Sequence, residues 1–285
     1  MSARILERGD AAYPDLLASI HGAPRVLHVL GADPPERAVA VVGSRRPTPY
    51  GRRMARLLGR ECAEAGVALV SGLARGVDSE AHSACAEAGG RTWAVLGSGL
   101  DRVYPSENAG LAREIVAAGG GLLSEYPPGT APLAGHFPRR NRIISGLCFA
   151  VVVVEGDLRS GSLITAKEAL EQGREVFAVP GPADAALSAG PNELLFNGAG
   201  LARCLADVLF ACPPLAAPEQ GAAAAGSPEE RKILELLGAH ELGVDELLSE
   251  TGWEPARLFQ HLSVLESRDR IRRIPGQRYA RAQGL

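Results

Sequence analysis

Short apolar runs alternate with longer amphipathic stretches from Ala38 to about Cys212. The runs Ala38–Val42, Val67–Ser71, Thr92–Leu96, Gly121–Ser124, Cys148–Val154 and Val176–Val179 have the length and composition of strands. Between them, Pro49–Ala65, Val77–Ala88, Glu107–Ala118 and Ser162–Gln172 carry helical periodicity. In the first of these, Met54, Leu57, Leu58 and Cys62 share a face, and Gly66 supplies a C-terminal stop. The run CFAVVVVEG is apolar at successive positions, as in a central parallel strand covered on both faces. This alternation predicts an α/β fold: a Rossmann-like parallel sheet with helices on both faces.

The pattern changes at ACPPLAAPEQGAAAAGSP, which is rich in Pro, Ala and Gly and has no apolar period, so residues 213–227 read as a linker. Three amphipathic helices follow, Pro228–Leu237, Val244–Glu250 and Pro255–Ser267, and then two basic strand-like pieces joined across Pro275-Gly276. That order predicts a small C-terminal winged-helix domain over 228–285. Its third helix is expected to bury Leu258, Phe259, Leu262 and Leu265 and to leave Arg257, Gln260 and His261 outward. Residues 38–212 form the Rossmann-like domain in this reading, and 1–37 an extension packing on it.

Net charge is −3, yet the charge is unevenly spread. Glu229–Glu254 holds eight acids and two bases, whereas Arg268–Leu285 holds six arginines and one aspartate. Arginine offers phosphate a planar fork and bases a stacking face. The five cysteines form no C-x-x-C pair, which suits reduced core thiols. MSARILERGD is charged throughout and lacks an apolar core, so no signal peptide is read. No apolar run reaches the ~18 residues of a membrane span. The expected location is the cytoplasm, with no membrane partner.

Candidate chemistry begins at VVGSRRPTPYG. A strand breaks at Gly43-Ser44-Arg45-Arg46, Thr48 is placed to cap the next helix and Pro49 suits its first position. A strand end feeding a helix N-terminus suits an anion: a nucleotide cofactor, a substrate phosphate or a nucleic-acid backbone. The dinucleotide pattern G-x-G-x-x-G is absent, and so is a P-loop lysine, so no cofactor is expected. Ser160-Gly161-Ser162 repeats the arrangement after the most apolar strand. HFPRRNRIISG supplies arginines beside an aromatic, the pairing expected where single strands bind. Glu125 and Glu155 end strands, but no nucleophile elbow or metal-ligand spacing accompanies them, and an enzyme is not the expected reading.

VVGSRRPTPYG, VSGLARGVDSEAH, LGSGLDRVYPSEN, LLSEYPPGT, HFPRRNRIISGL, VEGDLRSGSLITAKEALEQGREVFAVPG and GPNELLFNGA occur in that order. Together they resemble the DNA-processing protein A (DprA, or Smf) family over about Tyr13 to Leu209. The resemblance implies a homodimeric, non-catalytic recombination mediator. Such a protein binds single-stranded DNA during natural transformation, works against single-strand-binding protein and helps load RecA. Carried over by motif, Gly43, Ser44, Arg45 and Arg46 would cradle a phosphate. Phe137 would wedge against a base, with Arg139, Arg140, Asn141 and Arg142 along the groove. Ser160, Gly161, Ser162, Thr165 and Lys167 would complete a second cradle. Leu195 and Leu201 would serve the dimer surface.

Two departures accompany the resemblance. Family members often carry a helical domain before the Rossmann part, and the 37 residues ahead of Ala38 are too few for one. Basic residues that many members place before the phenylalanine and after Tyr-Pro are replaced here by PLAGHF and Ser106; Arg139 and Arg102 are the expected substitutes. Two other readings stand beside the mediator. A phosphoribohydrolase-like enzyme would also hold a nucleotide in Gly-rich loops, although its P-G-G-x-G-T motif is missing. A winged-helix regulator would bind duplex DNA through Arg257 and the wing residues Arg270, Arg272, Arg273 and Arg278.

Overall fold

The structure is a computed structural model that describes residues 3–212, 228–237, 241–253, 255–267, 270–274 and 278–281. The expected linker over 213–227 and the Pro275-Gly276 junction lie outside the described residues. The chain divides into two units, Met1–Ala217 and Pro218–Leu285.

In the first unit the strands are β1 (Arg4–Glu7), β2 (Val26–Gly31), β3 (Ala38–Val42), β4 (Ala68–Ser71), β5 (Thr92–Val95), β6 (Gly121–Ser124), β7 (Ala150–Val153), β8 (Glu175–Ala178) and β9 (Gly200–Leu201). The helices are α1 (Asp15–Ala18), α2 (Pro49–Glu64), α3 (Val77–Glu87), α4 (Ala109–Ala117), α5 (His136–Gly146), α6 (Gly161–Glu171), α7 (Ala189–Phe196) and α8 (Leu205–Ala211). One nine-stranded sheet has the order β1-β2-β6-β5-β4-β3-β7-β8-β9. Its members from β6 to β9 are parallel, while β1 and β2 are antiparallel additions. The first 37 residues therefore do more than pack on the sheet: they lengthen it.

Alternate strand positions feed opposite faces. Ala38, Ala40 and Val42 of β3 join Ile143 and Ile144 of α5, Leu147 just beyond it, and Ala166 and Ala169 of α6. Val39 and Val41 join Leu58 and Cys62 of α2, Val77 and Ala81 of α3 and Val208 of α8. The buried stripe of α2 is Gly51, Ala55, Leu58, Gly59 and Cys62. Met54 and Leu57, expected on that face, are only half-buried. Small residues let α2 press against α3, and a count of bulky residues alone misses them.

Beneath the C-terminal edge of the sheet lies a buried polar network. Arg140 of α5 donates through Nη1 to Gly72 O at 2.8 Å and to Val95 O, tying the helix to the ends of β4 and β5. Gly72 leaves no room for a side chain, since an added Cβ would lie 2.5 Å from the guanidinium. Asp78 accepts from the Gly72 and Ala74 amides at 3.0 and 3.3 Å. Burial raises its pKa and the Arg140 charge opposes the rise. Burial also pulls Arg140 down to about 10. His82 bonds through Nδ1 to Thr92 Oγ1 at 2.7 Å, and that hydroxyl donates to Leu69 O at 2.9 Å. The hydroxyl hydrogen is thus committed, so Nδ1 carries the imidazole proton. Burial, reinforced by Arg140, pushes His82 down to about 3.

The second unit contains α9 (Pro228–Leu237), β10 (Leu242–Gly243), α10 (Val244–Thr251), α11 (Pro255–Ser267), β11 (Ile271–Ile274) and β12 (Arg278–Arg281). Its three-stranded sheet has the order β10-β12-β11, and the helices with this sheet form a winged helix. Ile233, Leu237, Leu247, Leu258, Leu262, Leu265 and Tyr279 make its core. Phe259, expected to be buried, is 46% exposed, because Leu258, Leu262 and Leu265 already fill the inward face of α11.

Replacing Arg140 by Met strands two carbonyls and the Asp78 carboxylate, so unfolding of this unit should ease by about 3–5 kcal/mol. Urea unfolding followed by Trp93 fluorescence in a Trp253→Phe background measures it. For His82 the folded pKa of about 3 lies below the unfolded value of about 6.5. Its contribution is therefore complete above pH 6.5 and is lost as pH falls toward 3, by up to about 1.4 kcal/mol per unit. Asp78, with a raised pKa, works in the opposite direction. His82→Leu should flatten the fall in stability between pH 6.5 and 4, and an unchanged slope contradicts the assignment.

Candidate nucleic-acid interface

The chain leaves β3, builds β4, β5 and β6 on one side, then returns to place β7 on the other. The point where the order reverses, beyond the C-terminal ends of β3 and β7, is where ligands enter open α/β sheets. A cleft of about 890 Å³ lies there. Its walls are the loop after β3, the start of α6 and one side of α5.

Gly43 opens the first wall because two elements crowd it. An added Cβ would lie 2.7 Å from Val77 Cγ2 and 3.0 Å from Glu155 O. Ser44 then turns inward and its hydroxyl accepts from the Arg46 amide at 3.1 Å. Thr48 caps α2 by accepting from the Gly51 amide at 3.2 Å. The anion at this helix start is the protein's own: Glu155 accepts from the Thr48 amide at 2.8 Å and from its hydroxyl at 2.6 Å. The Thr48 end of the start of α2 is therefore already filled, which leaves Ser44, Arg45, Arg46 and the start of α6 as the groups open to an external anion.

Arg45 and Arg46 are exposed and line the cleft. Among the described residues neither has an ion-pair partner. Their neighbours differ: Arg52 pairs with Glu80 at 2.8 Å, Arg56 with Glu87 at 2.6 Å and Arg75 with Glu107 at 2.6 Å. Two unpaired guanidiniums at the mouth of a concave site attract an anion. Facing them, Ser160 caps α6 by accepting from the Ser162 amide at 3.3 Å, and the two hydroxyls meet at 2.8 Å. Gly161, Ser162 and Thr165 line the same wall. Lys167, expected in this cradle, lies outside the lining and pairs with Glu171 at 3.7 Å.

HFPRRNRIISG forms α5, and helical phase divides its residues. Phe137, Arg140, Asn141 and Ile144 line the cleft, whereas Arg139 and Arg142 face away. Arg142 pairs with Glu125 at 2.6 Å, and Arg139 approaches the same carboxylate at 3.6 Å. Arg140 is in the lining, but its guanidinium is buried against carbonyls, so it belongs to the floor. Asn141 reaches across to Gly161 O at 3.4 Å. Arg102, expected to substitute for a missing lysine, is absent from the lining and lies 3.8 Å from Asp101.

Half-buried Phe137 rests on the Gly97 backbone. The Arg45 guanidinium stands 6.0 Å from its ring centroid. Tyr104, which sequence reasoning left unassigned, is 43% exposed and lines the cleft. Its ring lies 5.5 Å from that of Phe137, tilted by 48°. Within LGSGLDRVYPSEN an aromatic next to proline was the available signal. Two rings and a guanidinium are the groups on which bases can stack, and serines with unpaired arginines are groups that can hold a phosphate.

Away from the cleft, Leu195 on α7 is half-buried and Leu201 on the edge strand β9 is exposed, with Phe196 and Phe210 exposed at 87% and 91%. In the winged helix, Arg257 pairs with Glu229 at 2.7 Å and Arg278 with Glu246 at 3.6 Å. Among the described residues no helix is long and apolar enough to cross a membrane, and no three His, Cys, Asp or Glu side chains form a metal-ligand group.

Residues 4–213 match the family model for DNA recombination-mediator protein A, and 217–277 match the DprA winged helix domain. Protein Smf of Escherichia coli is 53% identical over 161 residues, covering 56% of this chain and 43% of that protein. The chain thus spans less than half the length of that relative. DNA processing protein A of Streptococcus pneumoniae superimposes with a TM-score of 0.66 and 42% identity over 73% of each chain. DNA processing protein A of Helicobacter pylori, whose structure was described for its single-stranded DNA binding mode, gives 0.65 and 32% identity. That match covers 73% of this chain and 94% of the other. With the sheet-bearing unit and the winged helix both matched in order, the chain belongs to the DNA recombination-mediator protein A family.

Proposed function

We propose that the protein binds single-stranded DNA in the cleft at the sheet's switch point and acts there as a recombination mediator. One observation carries the reading. Arg45 and Arg46, free of ion pairs among the described residues, face a serine-lined helix start beside the Phe137–Tyr104 platform. Phosphates would sit between Ser44, Arg45 and the start of α6, while bases stack on the rings. Stacking tolerates any base, so binding should show little sequence preference. The H. pylori relative's single-stranded DNA binding supports the same ligand.

In this reading the protein holds incoming strands during natural transformation, works against single-strand-binding protein and helps RecA load, in the cytoplasm. It would act as a homodimer through the apolar edge around Leu195 and Leu201. It would be a binding protein and not an enzyme, with Glu155 holding Thr48 and Glu125 holding Arg142 as structural carboxylates. Of the arginines that a duplex reading by the winged helix would use, Arg257 and Arg278 are paired with acids.

Titration of fluorescent oligo-dT at several salt concentrations tests the proposal. If about five phosphates are neutralised, the log–log salt slope should be about −3 to −4, and Arg45→Ala should make it shallower by about 0.7. Phe137→Ala should weaken binding by about 1–3 kcal/mol while leaving the slope unchanged. A slope near zero, or tight binding indifferent to both changes, overturns the assignment.

A further inference from the structure

Helix α5 carries basic residues on two sides. At about 100° per residue, Arg139 and Arg142 lie opposite the positions that line the first cleft. They line a separate hollow of about 330 Å³, closed by the loop from Gly22 to Val26. Arg25, Arg139 and Arg142 line it, with Glu125 as the one acidic residue of the lining. Glu125 holds Arg142 closely, at 2.6 Å, and Arg139 loosely, at 3.6 Å. The hollow therefore keeps a surplus of positive charge.

Donor capacity there is only partly spent. Arg142 Nη2 donates to Glu125, but its Nη1 is buried without a hydrogen-bond partner, a condition native structures normally relieve with a ligand or a water. Arg139 is 66% exposed. Arg25 is exposed and, among the described residues, has no ion-pair partner. The hollow also adjoins the proposed DNA path, since Pro138 lines the first cleft and Arg139, the next residue, lines the second. One helix, about 10–12 Å across with its side chains, separates them.

We propose that this hollow is a second phosphodiester site, which takes a phosphate of the same single strand after it crosses the start of α5. The inference rests on the reading of the first cleft as the strand's site. A strand bound on both sides of α5 would bend round Phe137, which presents the ring at the crest of the path. Short oligonucleotides would occupy the first cleft alone, and longer ones both sites.

The test compares dT6 with dT20 on wild type and on Arg25→Ala/Arg139→Ala, two exposed positions outside the buried core. The variant should bind dT6 within about twofold of wild type. For dT20 it should lose roughly fivefold or more, with a salt slope shallower by about 0.7 for each phosphate contact removed. Arg25→Lys/Arg139→Lys, which keeps the charge, should recover most of the dT20 affinity. Wild-type dT20 affinity and slope in the alanine variant overturn the second site, and so does an equal loss for both lengths. Failure of the wild-type protein to bind either oligonucleotide overturns the first-cleft reading instead.

Discussion

The contact on which the site depends is between Glu155 and Thr48. Glu155 leaves the end of β7 and accepts both the amide and the hydroxyl of Thr48 at the start of α2, so the two loops flanking the switch point are clamped together. A carboxylate at a helix N-terminus answers both the free amides and the helix dipole. Because the protein supplies that charge itself, the start of α2 is closed to ligands. The free donors are pushed outward, to Ser44, Arg45 and Arg46, opposite the start of α6. Gly43, pinched between Val77 and Glu155, records how closely the clamp draws these elements together.

Around this clamp arginine takes three physically distinct states. Arg52, Arg56 and Arg75 sit beside carboxylates on the surface, where such pairs contribute little to stability. Arg140 is buried and spends its donors on carbonyls at the ends of two strands, so it fixes α5 against the sheet. Arg45 and Arg46 have no carboxylate partner among the described residues, and they face the cleft. The first state pairs charge at the surface, the second builds the floor of the cleft, and the third is the one the proposed function assigns to an anion. Overall negative charge is no obstacle to a nucleic-acid ligand when free cations converge at one concave edge.

The parallel strands were legible because they are buried on both faces and apolar at nearly every position. β1 and β2 were not: β1 buries a single residue at the antiparallel edge of the sheet, and β2, buried at three successive positions, is interrupted by His28 in its apolar run. The Gly-Ser-Arg loop and the serine cradle were legible from glycine placement and capping residues. The division among Arg139, Arg140 and Arg142 was not: three residues of one type within four positions differ only in helical phase, and HFPRRNRIISG has too little apolar contrast to set that phase. Lys167 was misplaced for the same reason, on a helix whose start was read correctly. Tyr104 escaped because its one local signal, an aromatic next to proline, does not distinguish a ring that lines a cleft from one that fills a core. Glu155 was noticed as a strand-ending acid, but its partner lies 107 residues away and no local pattern links them.

The central claim is that a single strand lies at the switch point of the sheet, with its bases on the Phe137–Tyr104 platform. Ultraviolet crosslinking of oligo-dT to the full chain, followed by mass spectrometry of the adducts, tests it most directly. Adducts on Phe137 or Tyr104, suppressed when Arg45 is replaced by Ala, are the predicted result. Adducts confined to aromatic residues of the winged helix, such as Trp253 or Phe259, would contradict the account.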